Sequence, residues 1–103
     1  PNHIQSINLL GTLSLQTENL EQAKQLFDKS LKINPKNSQI HNNLGIVFKK
    51  LEEPRKSIQC FQKAIEIQPN YSAGHNNLGL AFKEIGEHES AIKCFKKAVY
   101  IDP

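Results

Sequence analysis

The 103-residue sequence has no Met and no Trp, only two Cys, and nowhere a run of about 18 uncharged apolar residues. The missing run excludes a membrane-spanning helix, and no membrane partner is expected. No basic stretch leads into an apolar segment and a small-residue cleavage site, so no signal peptide is read here. Lacking Met, the chain is expected to be a piece of something longer. Charge of one sign is also scarce: 13 Lys and Arg stand against 10 Asp and Glu, a net +3. That balance leans toward acidic partners but falls short of a nucleic-acid-binding composition, and aromatics interleaved with the lysines for base stacking are missing. What is present suffices for a core. A chain of this length with 38% hydrophobic residues can bury about two-thirds of the surface that it exposes when unfolded.

An internal repeat organises the sequence. Pro1, Pro35, Pro69 and Pro103 are each 34 residues apart, and the same spacing separates Gly11, Gly45 and Gly79, as well as Phe27, Phe61 and Phe95. Residues 35–68 laid over 69–102 give 16 identities in 34, whereas residues 1–34 against 35–68 give 10. The first copy is the divergent one, as is common where a repeat lacks a neighbour on one face.

Within each copy the apolar residues recur at helical spacing. In the third, Leu78, Ala81, Phe82 and Ile85 fall at i, i+3, i+4 and i+7, and Ala91, Ile92, Phe95, Ala98 and Val99 follow beyond Gly86. Two amphipathic helices per copy result, expected near 4–16, 19–33, 38–51, 54–67, 72–85 and 88–100. Ser38 and Ser72 suit N-caps, Pro54 a first helical turn, and Gly86 a left-handed C-terminal position. Joints of a few residues make consecutive helices antiparallel, and such a hairpin cannot cover its apolar stripe alone. The expected fold is all-α: three stacked hairpins forming a short right-handed α-solenoid.

Leu44-Gly45, Phe48, Phe61, Ala64 and Pro69 in the second copy, with Leu78-Gly79, Phe82, Gly86, Ala91, Phe95, Ala98 and Pro103 in the third, resemble the tetratricopeptide repeat (TPR) unit. The first copy keeps Leu10-Gly11, Ala23, Phe27 and Pro35. The resemblance covers essentially the whole chain and implies one array over 1–103, with repeats 1–34, 35–68 and 69–102. The chain departs from the pattern at Ser14 for an aromatic, at Ser30 and Ser57 for Ala, and at Ile7, His41 and His75, where an early aromatic is usual.

The search for chemistry returns structural readings. Cys60 and Cys94 occupy one register of successive repeats, about 10 Å apart and beyond disulfide reach, so two reduced, half-buried thiols are expected. His41 and His75 are likewise one repeat apart, with no HExxH or CxxC spacing to support a metal. No nucleophile has a base at a recognisable spacing, and the isolated glycines form no phosphate loop. No enzymatic activity and no cofactor are expected. Unpaired cysteines and the missing signal point to the cytoplasm.

In a TPR-like superhelix the first helix of each hairpin lines a concave groove. The resemblance therefore assigns groove positions to Asn8 and Thr12 in the first copy, to Gln39, Asn42, Asn43, Ile46, Lys49 and Lys50 in the second, and to Asn76, Asn77, Leu80 and Lys83 in the third. His-Asn-Asn-Leu-Gly recurs at 41–45 and 75–79. Asn is a mediocre helix former, so repeated mid-helix pairs need a reason. Either the amides bond across to the neighbouring hairpin and fix its register, or they grip the main chain of an extended peptide. Asn43 and Asn77 are similar to the asparagine ladder in the TPR region of O-linked N-acetylglucosamine transferases, with Leu9 interrupting it in the first copy. The carboxylate clamp of chaperone-binding TPR domains is absent. Lys49, Lys50 and Lys83 beside Ile46 and Leu80 describe a groove for an extended or helical segment of another protein, with acidic and apolar side chains. The alternatives are a homo-oligomer assembled by stacking of open solenoid ends, and a targeting arm for a catalytic domain outside these residues.

Overall fold

The 34-residue period dictates the architecture. The computed structural model describes residues 3–103 and contains α1 (Ile4–Gln16), α2 (Leu20–Ile33), α3 (Ser38–Lys50), α4 (Pro54–Ile67), α5 (Ser72–Glu84) and α6 (His88–Ile101). Of the periodic prolines, Pro1 lies outside the described residues. No strand occurs among those residues, and the fold is all-α as expected. The expected bounds hold for α1 and α4 and are off by one residue at one end of each other helix.

Two expected caps are corrected. Ser38 and Ser72 are the first helical residues, and the N-caps are Asn37 and Tyr71. The Asn37 side chain accepts from the Ile40 N–H at 3.2 Å. The serine hydroxyls are committed elsewhere: Ser38 Oγ donates to Gln68 Oε1 at 2.6 Å and Ser72 Oγ to the Ala98 carbonyl at 3.3 Å. Each serine thus ties the start of a first helix to the end of its own second helix. Pro54 opens α4, where its missing N–H costs nothing.

Gly86 has φ 82°, the left-handed position expected of it. Glu18 and Glu52 hold the same register in the earlier copies, with φ 62° and 61°. In all three turns the following N–H closes back five residues: Asn19 to the Ser14 carbonyl (2.7 Å), Glu53 to Phe48 (2.9 Å) and Glu87 to Phe82 (2.9 Å). The turn geometry is common to the copies, but only the third supplies the residue without a steric cost.

Inside each hairpin a glycine faces a phenylalanine. A Cβ on Gly11 would stand 2.6 Å from Phe27 Cε1, on Gly45 2.5 Å from Phe61 Cε1, and on Gly79 2.7 Å from Phe95 Cε1. The periodic glycines and phenylalanines are therefore two halves of one contact. Phe27 shares a buried cluster with Ile40, Leu44 and Val47 of the next hairpin, and Phe61 shares one with Leu78 and Ala81, so the same rings belong to the core at the seams between repeats. The hydroxyls at core positions differ in fate. Ser57 Oγ donates to the Gly45 carbonyl at 2.9 Å and Ser14 Oγ to Leu10 at 2.8 Å, but Ser30 Oγ is buried with no partner.

Curvature follows from which helices meet across seams. α1 touches α3, and α3 touches α5, whereas α2 and α4 do not meet, nor do α4 and α6, among the described residues. The stack bends toward its first helices, and they line its inner face. The molecule measures 43 × 26 × 20 Å.

Candidate interaction groove

Two consecutive clefts open on the inner face, one at each seam between first helices. The first, about 180 Å³, lies between α1 and α3 and is lined by Asn8, Leu9, Thr12, Asn37, Gln39, Ile40 and Asn43. The second, about 460 Å³, lies between α3 and α5 and is lined by Ile46, Lys49, Lys50, Glu52, Asn77 and Glu84. The sequence-derived groove residues divide accordingly. Asn8, Thr12, Gln39 and Asn43 gather in the first cleft, and Ile46, Lys49, Lys50 and Asn77 in the second. Asn76 and Lys83 are exposed on α5 and Leu80 is half-buried there, outside both clefts.

Asn42 is the correction. It was assigned to the groove but is buried in the seam, where its Oδ1 accepts from Asn77 Nδ2 at 3.0 Å. A side-chain hydrogen bond also joins Asn42 to Tyr71. Burial pushes the Tyr71 phenol above its ordinary pKa, and the bond to Asn42 pulls it part of the way back. One amide of each recurring Asn pair therefore serves the scaffold, and Asn77 does so while also facing the cleft. One seam earlier the pattern is incomplete: Asn8 Oδ1 is buried without a hydrogen-bond partner.

The first cleft is neutral and rich in amides. Thr12 Oγ1 spends its proton on the Asn8 carbonyl at 2.9 Å, which leaves the hydroxyl able only to accept. The second cleft carries both signs of charge. Lys50 Nζ is held by Glu18 Oε1 at 3.0 Å, a bridge from the end of α3 to the left-handed turn of the preceding repeat. At the same two registers one repeat on stand Glu84 and Glu52, both carboxylates, on the cleft wall. Lys49 has no ion pair among the described residues, so its charge is available to a ligand. Leu9, Asn37, Ile40 and Glu52 were missed as lining residues. Asn37 sits beside a plausible capping serine, and Glu52 reaches the cleft only through a turn that helical periodicity does not describe.

The remaining sequence candidates take structural places. His41 Nε2 lies 2.8 Å from the Pro35 carbonyl and His75 Nε2 2.8 Å from that of Pro69, so each ring donates back to the loop before its helix. Cys60 and Cys94 are free thiols. Burial, with Asp28 nearby, pushes Cys60 up to about 11, and burial raises Cys94 as well, which leaves both weakly nucleophilic at neutral pH. No group of three or more His, Cys, Asp or Glu that could hold a metal occurs among the described residues. No helix there is long and apolar enough to cross a membrane.

Stacked hairpins with a periodic Gly–Phe contact and a curved inner face define a helical-repeat interaction scaffold. Tetratricopeptide repeat models match residues 4–37, 38–71 and 72–103, and the chain belongs to the tetratricopeptide repeat family. A search of the curated proteins gives no match. Among solved structures it is similar to MamA, with a TM-score of 0.91 and 24% identity over 96% of this chain and 58% of the other. A point mutant of MamA gives 0.90 and 27% over 100% and 75%. A further structure, MamA MSR-1, gives 0.88 and 28% over 99% and 59%. The chain thus spans little more than half the length of most of these structures. The shared architecture is a solenoid of TPR hairpins, and the class is a scaffold for protein–protein interaction.

Proposed function

We propose that the chain holds an extended segment of another protein along its inner face, without chemistry of its own, the three repeats acting as one array. The observation that carries this reading is the pair of consecutive clefts, each lined by side chains from two first helices. Asn43, Gln39 and Asn8 offer both donors and acceptors for a peptide main chain, and Ile46 gives an apolar side chain a place to rest. Lys49 favours an acidic group at the second cleft, while Glu52 and Glu84 restrict how many such groups the segment carries there. A largely preformed groove lowers the ordering cost on the scaffold side, so micromolar affinity is expected.

A peptide-display selection tests this, run on the wild type and on an Asn43→Ala/Lys49→Ala variant shown to be folded by circular dichroism. Asn77 is left intact because it supports Asn42. Enrichment of extended, acid-containing peptides by the wild type alone is the expected outcome. Equal enrichment by both proteins, or none by the wild type, sinks the groove reading.

A further inference from the structure

We propose that a hollow at the second seam, between α4 and the end of α5, receives a lysine side chain of a partner protein. The period supplies the template. At the first seam Phe48 is 8% exposed, and two ammonium groups lie over its ring, Lys24 Nζ at 5.8 Å and Lys56 Nζ at 5.6 Å from the centroid. Lys56 Nζ also meets Glu53 Oε1 at 3.2 Å, so one cation is shared between an aromatic face and a carboxylate. One period of 34 residues on, the aromatic and the carboxylate recur as Phe82 and Glu87, but Ile58 and Ser90 stand in place of the two lysines.

The second seam therefore keeps both partners of an ammonium and supplies none. Phe82 is only half-buried and, with Arg55, Ile58, Gln59, Ile85 and Glu87, lines a hollow of about 310 Å³. Among the described residues no Lys or Arg lies over the Phe82 ring, and Glu87 has no ion pair. Arg55, the one cation on the wall, is thus engaged with neither. The aliphatic walls of Ile58 and Ile85 suit the four-carbon stem of a lysine, whose ammonium then reaches the ring and the carboxylate together. The walls come from α4, α5 and the turn after α5, and none of them is shared with the two inner-face clefts, so this site stands apart from the groove. Both contacts are open to solvent and individually weak, and an isolated lysine is expected to half-saturate the site between about 10 and 100 mM.

The probe is acetyl-Gly-Lys-Gly-amide, titrated into the 103-residue chain at constant ionic strength and followed by NMR. Resonances of Ile58, Phe82 and Glu87 should shift saturably, while those of Phe48 stay in place. The same tripeptide with an acetylated lysine side chain keeps the stem but loses the charge, and should give no saturable shift. Glu87→Gln should weaken binding of the lysine probe about threefold. Ser90→Lys returns a cation to the register of Lys56 and should abolish that binding. No shift in the wild type, or equal binding of the acetylated tripeptide, overturns the proposal. Binding that survives Ser90→Lys unchanged overturns the template drawn from the first seam. Binding gained only on Arg55→Ala overturns the proposal as well, since the chain's own guanidinium then fills the hollow.

Discussion

The same substitution, Gly→Ala, should have opposite consequences at Gly45 and Gly79. In both helices the exchange gains about 1 kcal/mol of intrinsic helix propensity. At Gly45 the new Cβ would stand 2.5, 2.7 and 2.9 Å from Phe61 Cε1, Cδ1 and Cζ, so the ring must retreat by about 1 Å to restore ordinary contact. Phe61 has nowhere to go, being fully buried against Leu78 and Ala81 of the third repeat. Overpacking of this kind costs about 1–3 kcal/mol, for a net loss of up to about 2 kcal/mol. Phe95, opposite Gly79, is only half-buried, so its ring can swing outward and the propensity gain survives. Thermal unfolding followed by circular dichroism at about 222 nm resolves the pair, since about 1 kcal/mol moves the midpoint of a domain this size by about 4–8 °C. Gly45→Ala should lower Tm, Gly79→Ala should hold or raise it, and Phe61→Leu should rescue part of the Gly45→Ala loss. If Gly45→Ala raises Tm as much as Gly79→Ala, the reasoning from the Gly–Phe contact is wrong.

Ser30→Ala should stabilise the fold by about 1 kcal/mol in urea unfolding, because it removes a buried hydroxyl without a partner at a register that holds Ala64 and Ala98 elsewhere. Glu52→Gly should raise Tm, relieving a left-handed residue that costs about 1–2 kcal/mol against the smaller entropy cost of glycine; Glu18→Gly should gain less, since it also loses the bridge to Lys50. Asn77→Ala should cost about 1–3 kcal/mol by stranding Asn42 Oδ1, whereas Asn43→Ala, which strands nothing, should be close to neutral by the same measurement. For Cys60 the folded-state pKa of about 11 lies above the ordinary 9.0, so its contribution to stability is complete below pH 9 and is lost as pH rises toward 11. A Cys60→Ala variant should flatten that decline in unfolding free energy measured from pH 8 to 11; an unchanged slope would refute the assignment.

The architecture was legible because proline, glycine and phenylalanine each repeat at the interval of the hairpin. The caps were less so. Asn37 and Ser38 are both good capping residues, and what separates them is that Gln68, thirty residues away, engages the serine hydroxyl. At the groove the difficulty was angular. Neighbouring residues on a helix point about 100° apart, and a stripe read from apolar periodicity does not say which of two adjacent asparagines turns into the seam. The bond that decides it joins Asn77 to Asn42, residues 35 apart. A period of 34 compares Asn77 with Asn43 and never brings that pair together.

Mechanically the array is a bent beam, and straightening a bent beam stretches its inner surface. The hydrogen bond from Asn77 Nδ2 to Asn42 Oδ1 crosses the second seam between first helices and would be stretched when the ends are drawn apart. At the first seam Asn8 Oδ1 is unpartnered, and the exposed Lys50–Glu18 bridge has the compliance of two long side chains. The two joints therefore carry different polar ties across the inner face, a hydrogen bond between two short amide side chains at the second seam and an exposed ion pair between two long side chains at the first.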